Sequence, residues 1–385
     1  MEQVQIQAPK IRTLLDSSNQ FYRDLLGYIP EQTSLQQIPE TEWNVFAQTR
    51  GLNPNSSGIY LPRNQTAVIQ EENLLSLFHE YFGHGLYCEQ NLTGRKLVDL
   101  ERKLLEEEKQ EFSNSRFTLK DVQRFRQQNQ KFQELENFRR QNLGRYELFA
   151  IWTEYLLSGE HNLRDEFGRK YDSLIREEKE AVDSVIGFSE QYGDLATMYA
   201  QGMARRATPE RVRRLLEDVC KPKLNSIKLG ILFGSKEEFS DIDIYLVSDE
   251  IEPFSSDWID TRIHNQKRFE EGIRNFDVRI IDPLFSGEFI FGNRNYFEQQ
   301  KQILREQPII EESIQYNLQK SKDYRDLQKG DLELCDQAEN PLSYAETYLA
   351  NALALRQGKR LFSKEDLLSY SRRENLIQLK GGTRK

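Results

Sequence analysis

The stretch Ser76-Leu77-Phe78-His79-Glu80-Tyr81-Phe82-Gly83-His84-Gly85-Leu86 organises the first half of the chain. It places two of the four histidines of the sequence, together with an acid, within six residues of an apolar, helix-like run. Neutral imidazoles are good zinc ligands, and a carboxylate beside the first histidine can accept a proton from water at the metal. The stretch therefore predicts a metal site on a helix.

The spacing of the two histidines constrains the geometry of that helix. Residues four apart share one face of an α-helix, whereas His79 and His84 are five apart and diverge by roughly 140°. A π-helical turn is wider and brings positions i and i+5 onto one face, and such turns concentrate at functional sites. We therefore expect a one-residue π-bulge, with Gly83 taking up the distorted backbone.

The run His79-Glu80-Tyr81-Phe82-Gly83-His84 resembles the H-E-x-x-G-H signature of the dipeptidyl peptidase III family of zinc peptidases. In that family a glutamate of a later helix, within a pattern resembling E-x-x-A-E, is the third zinc ligand. Residues 147–150 match the first four positions, and Ile151 stands in place of the last acid. The resemblance implies Zn²⁺ on His79, His84 and Glu147, with Glu80 as catalytic base. Glu154 is the alternative third ligand.

Other residues of the first half are weaker candidates for a catalytic site. His161 follows the predicted ligand helix 146–157, and either it or Tyr199, within predicted helix 168–206, could stabilise a developing oxyanion. Ordinary surface or core roles stay open for both. The runs 59–62 and 66–69 predict two short strands, and an edge strand near the metal helix can hold a peptide by backbone pairing.

Whole-chain properties limit the possible partners. The net charge of −9 over 385 residues argues against nonspecific coating of nucleic acid or an anionic membrane, so nucleic acid is not favoured. The three cysteines form no C-x-x-C pair, which favours a reducing compartment. No signal-peptide pattern and no long apolar run is visible, so we expect a cytoplasmic protein without a membrane partner. Composition leaves the oligomeric state open.

A second chemical site is predicted beyond residue 206. Thr208-Pro209-Glu210 begins a fresh helix, and the strands predicted at 227–233 and 241–247 flank a Gly234-Ser235 turn. Alternate strand residues share a face, so Asp241 and Asp243 can together hold Mg²⁺ against a triphosphate. Asp277, within a strand predicted at 276–281, completes the set of acids.

The Gly-Ser turn followed by Asp-x-Asp resembles the DNA polymerase β-like nucleotidyltransferases, particularly the minimal members and the aminoglycoside adenylyltransferases. The resemblance implies that Gly234 and Ser235 contact a nucleoside triphosphate, with ATP the first choice. It also implies that Asp241, Asp243 and Asp277 bind magnesium, with Asp277 as the base. The loop before Asp241 is short and contains two acids, which leaves open an inactive, nucleotide-sensing domain.

The sequence therefore predicts a multidomain protein. A mainly α zinc-peptidase domain (1–206) carries a charged helical arm at about 97–140, and an α/β nucleotidyltransferase domain (207–295) precedes a C-terminal helical substrate-binding-like module (296–385). The predicted function is bifunctional, with a peptide or protein substrate and a nucleotide. Two alternatives stay open: a peptidase regulated by a weak or inactive nucleotide-sensing domain, and a non-enzymatic binding protein with a structural zinc.

Overall fold

The computed structural model describes residues 9–53, 56–113, 118–203, 207–235, 237–254, 258–330 and 341–374. The chain divides into two compact units, Met1–Arg206 and Ala207–Lys385. The described part of the chain is mainly helical with two small mixed sheets. None of its helices has the length and apolar character needed to cross a bilayer.

The first unit combines a three-stranded sheet with helices. Its strands are β1 (Ser34–Ile38), β2 (Gly58–Leu61) and β3 (Thr66–Gln70). Its helices are α1 (Pro9–Leu26), α2 (Glu40–Arg50), α3 (Leu74–Ser76), α4 (Leu86–Gln90), α5 (Leu92–Phe112), α6 (Leu119–Gln128), α7 (Gln130–Glu160), α8 (Arg164–Tyr171), α9 (Arg176–Tyr192) and α10 (Asp194–Ala200). The sheet order is β1-β3-β2, with β1 parallel and β2 antiparallel to β3, so β2 is an edge strand.

Residues 74–90 form one continuous element, which we call the histidine helix. It consists of α3, a π-helical segment Leu77–Gly85 and α4. The side chain of Asn73 caps its start by accepting a hydrogen bond from the backbone N–H of Ser76 at 2.9 Å. The predicted π-helical turn is therefore confirmed, although it extends over nine residues instead of one.

The histidine helix is fixed on both sides by close contacts. A Cβ at Gly83 would lie 2.7 Å from the Cα of Ala150 on α7. This tight helix contact requires glycine at position 83, which also lies within the π-helical segment, as predicted. Near the other end, the Glu89 carboxylate accepts hydrogen bonds of 2.7–3.0 Å from the backbone N–H groups of residues 31–33 and one from the Thr33 hydroxyl. The helix is thereby tied to the loop before β1.

The predicted charged arm corresponds to α5, α6 and the first turns of α7. The α5 segment packs against the rest of the unit through the buried residues Leu97, Val98, Leu100 and Leu104. Residues 114–117, between α5 and α6, lie outside the described chain.

The second unit is built around a four-stranded sheet. Its strands are β4 (Leu229–Phe233), β5 (Ile242–Val247), β6 (Ile259–His264) and β7 (Glu288–Gly292). Its helices are α11 (Pro209–Val219), α12 (Gln266–Arg274), α13 (Val278–Ser286), α14 (Arg294–Glu306), α15 (Glu311–Gly330), α16 (Pro341–Arg356) and α17 (Lys364–Arg373). The sheet order is β6-β5-β4-β7, in which β5 and β6 are parallel and the other pairs antiparallel.

One hydrophobic core joins this sheet to the C-terminal helices. It brings together Ile231 of β4, Tyr245 of β5, Ile280 of α13, Leu304 of α14 and Leu355 of α16. The boundary predicted at residue 295 therefore falls inside one compact unit.

The strand predicted at 276–281 is wrong, because Asp277 is the N-cap of helix α13. The alternation of apolar residues at 276, 278 and 280 fits a strand, but residues 280, 281 and 284 are also buried and continue a helical face. An aspartate immediately before such a face is a common helix start, because its side chain accepts the early N–H groups.

Candidate metal centre and acidic site

Three potential ligands converge in the first unit. His79 and His84 come from the π-helical segment and Glu147 from α7, and one ligand atom of each lies within 4.8 Å of the other two. The Nε2 atoms of both histidines lie 3.6 Å from Oε2 of Glu147. No other group of three such ligands is found in the described ranges. The wide π turn therefore puts histidines five residues apart on the same side as Glu147.

Glu154 lies beside the Nδ1 atom of His79. Its Oε2 lies 3.0 Å from Nδ1 of His79, and both its oxygens accept from Nζ of Lys170 at 2.8–2.9 Å. Glu154 is 1% exposed and lies outside the group formed by His79, His84 and Glu147. A carboxylate on Nδ1 fixes the tautomer and orientation of the ring, which leaves Nε2 of His79 available for a metal.

The surroundings set opposite protonation states for the two histidines. Burial lowers the pKa of His84 to about 3, so this ring is neutral. Burial also opposes charge on His79, but the hydrogen bonds to Glu147 and Glu154 prevail and raise its pKa to about 10. Burial acts to raise the pKa of Glu147, yet the neighbouring His79 and His84 bring it down to about 2. The Glu147 carboxylate is thus anionic and faces the neutral ring of His84 and the charged ring of His79.

Glu80 lies beside the ligand group and under the sheet edge. Its Oε2 is 4.0 Å from Nε2 of His84, and burial raises the pKa of its carboxyl to about 7. A Cβ at Gly58, the first residue of β2, would lie 2.7 Å from Cγ of Glu80. The edge strand β2 therefore passes directly over the acid, and its outer edge has no strand partner in the described sheet.

The two candidates for oxyanion stabilisation have other surroundings. Nε2 of His161 lies 2.8 Å from the Ser18 hydroxyl, and its ring stacks on Phe78 at 5.4 Å. Tyr199 is 1% exposed within α10. The role of either residue in stabilising an oxyanion stays a prediction.

In the second unit, the Gly-Ser turn and one aspartate are brought together. Gly234 has a φ of +80°, and a side chain at this position would collide with the Asp243 carboxylate. Asp243 lies in β5 opposite Phe233 of β4, and Asp241 is exposed just before β5. The Ser235 hydroxyl accepts from the backbone N–H of Glu237 at 3.2 Å, which closes the short loop. Lys236 lies outside the described residues.

The Asp277 carboxylate accepts hydrogen bonds from three groups of its own unit. Its Oδ1 accepts from the Tyr348 hydroxyl at 2.5 Å and from the backbone N–H of Arg279 at 3.0 Å, while Oδ2 accepts from the Tyr316 hydroxyl at 2.6 Å. Together with its helix-capping position, these bonds give it a structural role. The three predicted magnesium ligands do not form a ligand group within the described chain.

The acid that the sequence analysis missed is Asp260. It lies in β6 and is paired in register with Asp243 of the neighbouring parallel strand. Paired residues of adjacent strands share a face, so these two side chains lie side by side. The signal available in the sequence was Ile259-Asp260-Thr261, an acid between strand-forming residues shortly after β5.

Comparisons with known proteins add little to this geometry. No family model matches the sequence, and no curated protein matches it. Among solved structures, a nucleotidyltransferase-like protein from Exiguobacterium sibiricum 255-15 aligns with 45% of this chain and 69% of its own. The identity is 13% and the TM-score 0.25, so this likeness carries no argument about function.

Proposed function

We propose that the first unit is a zinc-dependent peptidase. The observation that carries the proposal is the convergence of His79, His84 and Glu147 beside the buried acid Glu80. Two imidazole nitrogens and one carboxylate oxygen are a donor set typical of catalytic zinc sites, which keep a fourth position open. A structural zinc would have four protein ligands, and the ligand group in the described residues has three. The donor chemistry thus favours an enzyme over a structural zinc.

Each residue of the centre has a task in peptide hydrolysis. Bound zinc would supply Lewis-acid activation of water and of the peptide carbonyl. Glu80 accepts the proton of the attacking water, and a pKa near 7 suits a group that must take up a proton and then donate it to the leaving amine. Glu154 holds the ring of His79. The open edge of β2 can pair with an extended peptide and bring its backbone to Glu80.

Elemental analysis and a cleavage assay test this proposal together. We expect about one zinc per wild-type chain, and its loss in His79→Ala and Glu147→Ala. A Glu80→Gln variant should retain zinc and cleave a peptide library at least about 100-fold more slowly. Zinc-loaded Glu80→Gln that cleaves at the wild-type rate would exclude the mechanism, and wild-type protein that binds no zinc would exclude the site.

A second activity is proposed for the second unit, which we infer to be a magnesium-dependent nucleotidyltransferase. The specific observation is that Gly234 packs on Asp243 while Asp260 pairs with Asp243 in register. Carboxylate oxygens are the ligands that Mg²⁺ prefers, and a glycine turn lets the backbone approach a triphosphate. Asp243 and Asp260 would hold the ion, which would neutralise phosphate charge during transfer of a nucleotide to a hydroxyl.

Calorimetry with ATP and Mg²⁺, followed by measurement of pyrophosphate release, separates the alternatives. Binding and release that disappear in Asp243→Asn and Asp260→Asn, but persist in folded Asp277→Asn, support transfer with the reassigned acids. Binding without pyrophosphate release supports a nucleotide sensor that regulates the first unit. No binding of ATP or another nucleoside triphosphate excludes both.

A further inference from the structure

An apolar cavity opens beside the ligand residues of the first unit. Its volume is about 170 Å³, and its walls come from β2, α4, α5 and α7. The apolar and aromatic residues of the lining include Tyr60, Tyr87, Leu97, Phe138, Leu143 and Tyr146. An apolar cavity of roughly 150 Å³ is large enough to hold a benzene ring. The space therefore fits one large apolar side chain.

Tyr146 connects this cavity to the metal centre. Its ring stacks on the imidazole of His84 with centroids 3.8 Å apart, and it also forms a wall of the cavity. The next residue along α7 is the ligand Glu147, and Leu143, one turn earlier, lies at the cavity as well. A group bound in the cavity thus lies one aromatic ring away from a ligand histidine.

The charge and exposure of the lining favour an apolar occupant. The two charged residues of the lining, Glu101 and Arg139, form an ion pair of 2.5 Å, so their charges offset each other. Leu143 is 53% exposed and places apolar surface next to the opening. A concave apolar site with a few polar groups, next to exposed apolar surface, is typical of ligand binding.

Strand β2 relates the cavity to the acid Glu80. Gly58 packs on Glu80, and Tyr60, two residues further along the same face of β2, lines the cavity. A peptide paired with the open edge of β2 repeats at the same spacing, so its side chains fall at both positions. We propose that the cavity binds an aromatic or large aliphatic side chain of the peptide substrate, within two residues of the cleaved bond. This inference rests on the peptidase function proposed above.

The expected preference follows from the burial of that side chain. Moving the side chain of phenylalanine, compared with that of alanine, from water into an apolar pocket favours binding by about 10- to 100-fold. The same preference should appear in kcat/KM of the active enzyme and in Kd of a variant that does not cleave, because pocket binding precedes the chemical step.

Matched peptides and three variants test the proposal. Internally quenched octapeptides that differ only by Phe or Ala at one position are assayed with zinc-loaded protein, and the position is moved along the peptide. The same peptides are bound to Glu80→Gln in a fluorescence anisotropy titration. Leu143→Glu puts a charge at the opening, and Asn142→Trp fills the cavity. Val45→Glu, on the exposed face of α2 and 64% exposed in the wild type, is the matched control.

We expect kcat/KM to be about 10 to 100 times higher for the Phe peptide than for the Ala peptide at one position. This ratio should fall below about 3 in Leu143→Glu and Asn142→Trp. It should be unchanged in Val45→Glu. Cleavage with a ratio near one at every position overturns the pocket and leaves the peptidase intact. A Phe preference in binding that Leu143→Glu removes, without cleavage by wild-type protein, upholds the pocket and overturns the peptidase. Absence of both cleavage and binding preference overturns both.

Discussion

Replacing Glu154 with glutamine tests whether this residue positions a zinc ligand. The carboxylate is 1% exposed, lies 3.0 Å from Nδ1 of His79 and is paired with Lys170. Glutamine keeps the size and one acceptor oxygen but removes the charge. The His79 ring then becomes less electron-rich and less firmly oriented, although Nε2 can still reach the metal. We therefore expect weaker zinc binding, and not its abolition.

The magnitude distinguishes a positioning carboxylate from a ligand. Loss of a hydrogen-bonded partner of a zinc histidine typically weakens metal binding by about 10- to 100-fold, or about 1.4–2.7 kcal/mol. Glu147→Gln, which alters a ligand, should weaken binding by more than that range. Zinc affinity is measured by competition with a chromophoric chelator at pH 7.5. The control is Glu160→Gln, an exposed acid on the same helix.

Two results would refute this reasoning. Glu154→Gln with the zinc affinity of the wild type would mean that His79 needs no partner on Nδ1. Loss of zinc as complete as in His79→Ala, combined with retention of zinc in Glu147→Gln, would mean that Glu154 is the ligand.

Two further predictions concern stability. Gly83→Ala should lower the free energy of unfolding in urea by about 1–3 kcal/mol, because the new Cβ would lie 2.7 Å from the backbone of Ala150. The control Gly168→Ala, which has open space around the new Cβ, should not destabilise the protein. His264 is buried against the Tyr245 hydroxyl, and burial lowers its pKa to about 4. The unfolded chain therefore takes up this proton at higher pH than the folded chain, and stability should fall by about 2 kcal/mol from pH 7 to pH 5, but less in His264→Gln.

His79, Glu80 and His84 could be predicted as one cluster because they lie within six residues of the sequence. The five-residue spacing of His79 and His84 has few solutions on a helix, and the π turn follows from it. The role of Glu154 could not be predicted, because the choice between ligand and partner of Nδ1 depends on how α7 lies against the histidine helix. That relation is fixed by contacts such as Gly83 with Ala150, which periodicity does not show.

The strand predicted around Asp277 in the second unit was wrong for a related reason. Strands β4 and β5 have strong apolar patterns and lie where the sequence predicts them. Which acid lies next to Asp243 depends on which strand pairs with β5. An apolar alternation shared by a strand and a helix start led to Asp277, whereas strand pairing brings Asp260 to Asp243.

The π-helical segment also bears on how this chain tolerates length changes. Deleting Gly83 would leave the two histidines four residues apart, a spacing that an ordinary α-helix serves equally well. The same deletion would rotate everything after it by about 100° and move it by about 1.5 Å along the axis. Glu89 would then point away from the backbone N–H groups of residues 31–33, whose hydrogen bonds it accepts. The extra residue therefore matters as much for the attachment of the helix end as for the alignment of the two histidines.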